Sequence, residues 1–186
     1  MDIRPMTLAD LDAVGDIDAT CESAQYLHID RVGEGFSTSW KIEPRPLREK
    51  RMRRWPLADE QILAMKQIVR GADEGIAVVA EHDQTLVAAA AAQPDAVAGT
   101  FRLIDLRVDF DYRRQGLASA LLFQIIQEAR QRKLRAVTAQ APADHFPALQ
   151  LLAKLGFEPT GLDTHLASNH DLVKESVALF YYLTLT

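Results

Sequence analysis

The stretch DYRRQGLASALL, residues 111–122, passes from a charged turn directly into the apolar pattern of a helix. The first four N–H groups of a helix have no partner inside it, and a Ser, Thr, Asp or Asn side chain usually caps one of them. Gly116, which precedes this helix, has no side chain that could do so. The exposed N–H groups, the helix dipole and the nearby Arg113 and Arg114 favour an anion at this N-terminus. The stretch therefore predicts a phosphate-binding turn, and the competing interpretation is a turn shaped by Gly116 with solvated arginines.

Two common phosphate-binding motifs are absent from the sequence. It contains neither the GxxxxGK[ST] pattern of P-loop proteins nor the GxGxxG pattern of dinucleotide-binding folds. A phosphate ligand at residues 111–122 would therefore be held by a turn of a different class.

The composition is that of an ordinary globular protein. Of the 186 residues, 48% are hydrophobic and 25% are charged, and no apolar run reaches the ~18 residues that a membrane helix needs. The N-terminus lacks the layout of a signal peptide, and Cys21 is the one cysteine, which allows neither an internal disulfide nor a cysteine metal cluster. We therefore expect one domain over residues 1–186, located in the cytoplasm, with no membrane partner and no metal.

Charge is unevenly distributed along the chain. Residues 45–55 hold six of the 21 Lys and Arg residues but only one of the 26 Asp and Glu residues, while the net charge of the whole chain is −5. Such a basic run could contact the phosphates of a nucleic acid or a cofactor, but we expect a solvated loop or helix face. The acidic remainder argues against a nucleic-acid partner and fits a cationic small molecule as substrate.

Hydrophobic periodicity predicts strands that alternate with helices in the middle of the chain and hairpins at both ends. The expected strands are residues 2–6, 26–32, 36–42, 76–82, 85–92, 101–108, 134–141, 157–167 and 177–186. The expected helices are residues 8–21, 57–70, 117–133 and 147–155, with Thr7 capping the first and Gly156 ending the last. This order predicts a mixed α/β (α+β) domain with helices against one sheet.

Residues 113–118, RRQGLA, fit the [RQ]-x-x-G-x-[GA] turn with which the GNAT superfamily of N-acetyltransferases holds coenzyme A. The stretch LIDLRVDFDYRRQGLASALL (103–122) resembles the strand, turn and helix of that superfamily throughout. Further along, PALQLLAKLGFEPTG (147–161) resembles its next helix and the Gly-Phe that follows. The resemblance covers residues 101–161, about a third of the chain.

Within the superfamily, the sequence most resembles the streptothricin acetyltransferases, on FPALQLLAKLGFEPTGLDTHL (146–166), the ending ESVALFYY (175–182) and the early hairpin before a basic segment. The resemblance implies a GNAT-like fold with a mostly antiparallel, splayed sheet flanked by helices. It also implies transfer of an acetyl group from acetyl-CoA to an amine by direct attack, without a metal. Dimers are common among such proteins, so a homodimer is compatible with this interpretation.

The resemblance implies which residues hold the cofactor. Backbone groups of residues 106–108 would bind pantetheine like an added strand, and backbone N–H groups of residues 114–119 would surround the pyrophosphate. The implied cofactor-binding residues are Leu106, Arg107, Val108, Arg113, Arg114, Gln115, Gly116, Leu117, Ala118, Ser119, His145 and Leu152.

Three positions depart from the usual chemistry of the superfamily. Gln140 stands where many members have a glutamate base, His145 where many have an asparagine, and Leu152 where many have a tyrosine acid. His145 is itself a candidate base, since imidazole has an unperturbed pKa of about 6.5. The alternative is that His145 caps the helix that follows it.

Two other residues are candidates for proton transfer. Asp105, on the strand before the turn, is a second candidate base, and its alternative role is an ion pair with Arg107 on the same strand face. Tyr181 and Tyr182 on the last strand are candidate acids, and one member of this adjacent pair should face the core. We take Tyr182 as the candidate acid.

The sequence therefore predicts an acetyl-CoA-dependent N-acetyltransferase for a primary amine of a small cationic molecule, such as a streptothricin-like antibiotic or a polyamine. The altered positions leave open an amine that arrives partly neutral. They also leave open an acyl-CoA-binding sensor or pseudoenzyme without turnover. A nucleic-acid-binding module that uses residues 45–55 is an interpretation of another class, but the chain has no zinc pattern and no aromatic RNA-binding motif.

Overall fold

The structure, a computed structural model, describes residues 1–185. Its strands are β1 (Asp2–Pro5), β2 (Cys21–Glu34), β3 (Ser37–Arg53), β4 (Ile76–His82), β5 (Thr85–Asp95), β6 (Thr100–Val108), β7 (Ala136–Pro142), β8 (Glu158–Asp163) and β9 (Ala178–Thr184). Its helices are α1 (Asp10–Asp16), α2 (Asp59–Val69), α3 (Leu117–Gln131) and α4 (Phe146–Lys154), and a 3-10 turn spans Phe110–Tyr112. The predicted mixed α/β class is confirmed, and the last residue of the strand predicted over 177–186 lies outside the described residues.

Seven strands form one sheet in the order β1-β4-β5-β6-β7-β9-β8, and β2 and β3 form a separate two-stranded sheet. The β1–β4, β4–β5 and β5–β6 pairs are antiparallel, whereas β6 and β7 run parallel. The prediction of a mostly antiparallel sheet is therefore confirmed.

The chain divides into two compact units. The first contains Met1–Thr20, Arg54–Ala139 and the residues from Tyr182 onward, and the second contains Cys21–Arg53 and Gln140–Tyr181. A single domain over residues 1–186 stays a prediction.

The core of the first unit lies on both faces of β4 and β5. Residues 88–92 of β5 are all alanine and all fully buried, and side chains this small let helices pack close to the sheet. One helix layer contributes Val14 of α1 and Met65 of α2, both fully buried. The helix α3 presents an apolar stripe at helical spacing, which consists of Leu117, Leu121, Leu122, Ile125, Ile126 and Ala129. The helix α3 therefore packs on the sheet that contains β6 through a continuous apolar face.

The first helix is shorter than predicted, and Thr7 is not its N-cap. The N-cap is Ala9, and the carboxylate of Asp10 turns back to accept hydrogen bonds from the backbone N–H of Thr7 (2.7 Å) and from its hydroxyl (2.8 Å). The helix ends at Asp16 because Ile17 already has an extended backbone, with ψ of 122°. Cys21 is buried as the first residue of β2 and not as part of a helical stripe.

The basic run 45–55 is largely exposed, as predicted, but it is neither a loop nor a helix face, since residues 45–53 belong to β3. Several of its basic side chains are paired with acidic groups of the same unit. Arg45 donates to Glu43 at 2.8 Å, Lys50 lies 2.6 Å from Glu22, and Arg53 contacts Asp144. Pairing of β3 with β2 brings Lys50 to Glu22, and packing within the unit brings Arg53 to Asp144, which is 91 positions away along the chain.

Candidate functional site

The turn before α3 is open at the position of Gly116. Its φ of +84° is a left-handed conformation that favours glycine, and a Cβ built there meets no other atom within 4 Å. No side chain caps the helix at this residue. The N-terminus of α3 therefore keeps its orphan N–H groups beside open space, as the sequence predicted.

The segment between β6 and this turn is tied down by hydrogen bonds. The backbone N–H of Phe110 donates to the carbonyl of Asp18 at 3.0 Å, and the carboxylate of Asp109 accepts from the N–H groups of Asp18 (3.2 Å) and Asp111 (3.1 Å). A fixed turn holds its N–H groups in place before a ligand arrives, which lowers the entropy lost on binding.

The two arginines of the turn differ in position. Arg113 folds back, with Nε donating to the carbonyl of Val108 at 3.3 Å and the guanidinium 5.6 Å from the ring centre of Phe110. Arg114 is exposed and has a left-handed φ of +62°. Arg114 is therefore the arginine of the turn that is more accessible to a ligand from solvent.

The strand β6 has an edge that is only partly paired. It pairs with β5 from Thr100 to Val108, but with β7 only from Thr100 to Arg102. Ile104 is the extra residue of a β-bulge against β5, a distortion that is frequent beside active sites. Within residues 1–185, the β7-side edge of residues 106–108 has no partner strand, as a splayed sheet requires.

Asp105 and Arg107 form a buried ion pair, so the alternative role of Asp105 is confirmed. Arg107 Nε and Nη2 donate to the two carboxylate oxygens of Asp105 at 2.6 and 2.8 Å, and the two side chains are only 9% (Asp105) and 4% (Arg107) exposed. Gln61 of α2 donates to the same carboxylate at 3.3 Å. With both oxygens engaged by donors, Asp105 is poorly placed to take a proton from a substrate.

His145 is the N-cap of α4. Its Nδ1 accepts a hydrogen bond from the backbone N–H of Ala148 at 3.3 Å, and the sulfur of Cys21 lies 3.8 Å from the same nitrogen. A neutral imidazole that accepts at Nδ1 carries its proton on Nε2. The geometry therefore supports the capping role of His145 and gives a base role little support.

The remaining predicted residues lie in different units. Leu152 is buried on α4 in the second unit, and Gln140 is exposed there. Tyr181 is buried, which raises the pKa of its phenol, so it is the core-facing member of the tyrosine pair. The hydroxyl of Tyr182 is buried without a hydrogen-bond partner among the described residues, and the guanidinium of Arg135 lies 5.4 Å from its ring centre.

One buried charged residue could not be found by sequence reasoning. The side chain of Asp144 is 3% exposed and contacts Arg53, with Arg51 at 3.5 Å. In the sequence, Asp144 is marked only as an acidic residue next to His145. Its arginine partners could not be inferred, because they lie on a strand about ninety positions earlier in the chain.

Neither a metal site nor a membrane helix is found in the described part of the chain. Within residues 1–185, no three His, Cys, Asp or Glu side chains form a group that could hold a metal ion. No helix in the same range combines the length and apolarity needed to cross a membrane. A reaction without a metal stays a prediction.

A strand with an unpaired edge, an open left-handed turn and a helix without a side-chain cap define an α/β protein with a candidate site for a phosphate-bearing ligand. The sequence model of the acetyltransferase (GNAT) family matches residues 37–157, more than half of the chain. The chain belongs to this family. No curated protein matches it in sequence.

Solved structures with the same fold include antibiotic and protein acetyltransferases. A nourseothricin acetyltransferase is similar with a TM-score of 0.81 and 17% identity, over 100% of this chain and 98% of that chain. A Bacillus anthracis strain Ames protein assigned as a streptothricin acetyltransferase, in complex with acetyl coenzyme A, is similar with a TM-score of 0.78 and 16% identity. The match covers 100% of this chain and 97% of that chain. The ribosomal-protein-S18-alanine N-acetyltransferase of Escherichia coli is similar with a TM-score of 0.65 and 19% identity, over 100% of this chain and 94% of that chain. The predicted GNAT-like fold is therefore confirmed.

Proposed function

We propose that the protein transfers an acetyl group from acetyl-CoA to a primary amine of a small cationic molecule. The observation that carries the proposal is the open, uncapped N-terminus of α3 at Gly116, directly after a strand with an unpaired edge. A pyrophosphate fits such an N-terminus, because backbone N–H groups and the helix dipole both favour an anion.

The residues present fit the cofactor. The space at Gly116 lets a phosphate approach the backbone, and N–H groups of residues 114–119 would surround it, with Arg114 adding charge. The backbone of residues 106–108 would bind the pantetheine arm along the edge of β6. When bound, acetyl-CoA supplies the thioester that the amine attacks. Leu152 stands where many family members have a tyrosine acid, and a leucine offers the cofactor apolar contact alone.

Proton transfer is the step in which this chain departs from its family. Asp105 is held by Arg107, and Nδ1 of His145 is used in capping α4. We therefore assign loss of the amine proton to solvent, and catalysis mainly to the positioning of the two reactants. The buried hydroxyl of Tyr182 is the candidate donor to the departing thiolate.

The acceptor class rests on charge and on the similar structures. The chain carries a net charge of −5, which favours a cationic partner through long-range attraction. Two of the structures with the same fold bear the names of nourseothricin and streptothricin acetyltransferases. A streptothricin-like antibiotic or a polyamine is therefore the acceptor we propose.

The test is release of free thiol from acetyl-CoA with nourseothricin, spermidine and a peptide with an N-terminal alanine as acceptors. We expect release with the two small cationic amines and a mass increase of one acetyl group on the product. Binding of acetyl-CoA without release for any acceptor would contradict transfer and support the acyl-CoA sensor instead.

A further inference from the structure

Asp144 is a buried carboxylate with one unsatisfied oxygen. It lies just before α4, and its side chain is 3% exposed. Its Oδ2 contacts Arg53 and lies 3.5 Å from Arg51, both on β3. Its Oδ1 is buried and has no hydrogen-bond partner among residues 1–185. Because burying a charged oxygen without a partner is costly, this atom points to a donor that the chain itself does not provide.

Other buried aspartates in the described part of the chain have both oxygens satisfied. Asp10 accepts from Arg4 at 2.9 and 2.7 Å, one bond to each oxygen. Asp171 accepts from the hydroxyl of Ser168 at 2.6 Å on one oxygen and from the N–H of Ala167 at 2.8 Å on the other. The carboxylate oxygen of Asp144 that lacks a hydrogen-bond donor therefore distinguishes this residue from carboxylates that only stabilise the fold.

The two arginines that contact Asp144 also reach solvent. The side chains of Arg51 and Arg53 are 38% and 44% exposed, and long arginine stems reorient readily when the guanidinium reaches water. An ammonium group could replace one guanidinium beside the carboxylate, so that the buried charge stays neutralised throughout the exchange.

We propose that Asp144 binds an ammonium group of the acceptor, which displaces the guanidinium of Arg53 from Oδ2 and donates hydrogen bonds to both carboxylate oxygens, including the unpartnered Oδ1. The inference rests on the proposed function and adds the residue that holds the acceptor.

The test compares three variants with spermidine as acceptor. We expect Asp144→Asn to raise the KM for spermidine about tenfold, the effect of losing one charge-assisted hydrogen bond, with an unchanged Kd for acetyl-CoA. Arg53→Met removes the competing cation and keeps the carboxylate, so its KM should be unchanged or lower. Asp10→Asn also removes a buried pair with arginine and should leave the KM unchanged.

The outcomes separate the two proposals. If Asp144 serves only to hold β3 in place through Arg53, Asp144→Asn and Arg53→Met should both raise the KM for spermidine, and this result would overturn the inference. An unchanged KM in Asp144→Asn would also overturn it. If Asp144→Asn does not fold, the KM of Arg53→Met decides.

If the wild type releases no thiol, the proposed function fails. Thermal protection by spermidine that Asp144→Asn abolishes would then still support the site, and no protection would overturn both proposals.

Discussion

At the level of single residues, His145 caps a helix at a position where the family resemblance made it a candidate catalytic base. Its Nδ1 accepts from the N–H of Ala148, so the ring replaces the Ser, Thr, Asp or Asn that usually caps a helix. Both roles could be predicted from the sequence, and the hydrogen bond supports the cap.

Two substitutions at His145 separate capping from catalysis. We expect His145→Ala to lower the free energy of unfolding by about 1 kcal/mol, since it removes the cap. His145→Asn should keep the stability and the turnover of the wild type, because asparagine caps a helix well and the imidazole is not needed as a base. Urea unfolding and thiol release measure the two effects. A large loss of turnover in a stable His145→Asn variant would show that the imidazole takes part in the reaction.

A substitution at Tyr182 tests its proposed role as the acid that protonates the departing thiolate. Removing its buried hydroxyl in Tyr182→Phe should lower kcat by about a hundredfold, the low end of the range for general acid catalysis, and leave the Kd for acetyl-CoA unchanged. Tyr181→Phe is the matched control on the neighbouring buried residue and should keep the wild-type kcat. Equal kcat values in the two variants would exclude Tyr182 as the acid.

Among the elements, the hairpin of β2 and β3 depends on its turn. Gly33 has a φ of +93°, and a Cβ there would stand 1.9 Å from the carbonyl oxygen of Ser37. Gly35 also has a positive φ, of +57°, but a Cβ there meets nothing within 4 Å. We expect Gly33→Ala to destabilise the protein more than Gly35→Ala in urea unfolding, because it adds a clash to the shared backbone strain. Equal losses would contradict this turn geometry.

The elements with strong local periodicity could be predicted from the sequence. The helix α3 begins at Leu117 as expected. The strands β4 and β5 meet at Asp83 and Gln84, between the expected strands 76–82 and 85–92, and both of these residues have positive φ. These features depend on neighbouring residues, whose spacing and turn chemistry can be read locally.

Features that depend on distant residues could not be predicted. The helix α1 ends at Asp16, just before Asp18 makes hydrogen bonds with the distant Asp109 and Phe110, although the apolar spacing continues to Cys21. The contact of Arg53 with Asp144 joins residues that are 91 positions apart, so nothing in the local pattern of either residue indicates it. Tertiary contacts of this kind override local preference.

For the molecule as a whole, stability in acid depends on carboxylates held by donors. Hydrogen bonds from Arg4 lower the pKa of Asp10 well below its usual range, and the hydroxyl of Ser168 lowers the pKa of Asp171. A carboxyl whose pKa is lower in the folded state stabilises the protein above its unfolded pKa of about 3.9. This stabilisation is lost as the pH falls through the folded value.

The sign of this effect can be checked with Asp10→Asn. We expect the wild type to lose stability as the pH falls from about 5 to 2, and the variant to be less stable at neutral pH but less sensitive to acid over that range. Urea unfolding at several pH values measures both curves. Parallel curves for the two proteins would contradict the role of Asp10.

The function proposed for the whole molecule depends on whether the open turn at Gly116 holds acetyl-CoA. Calorimetric titration of acetyl-CoA into the wild type, Gly116→Val and Gly71→Val tests this directly. Gly71 is the matched control, since its φ of +72° imposes the same strain and a Cβ there also meets nothing within 4 Å. We expect equal affinity for the wild type and Gly71→Val and at least about a tenfold loss in Gly116→Val. No binding by the wild type, or unchanged affinity in Gly116→Val, would contradict a cofactor site at this turn.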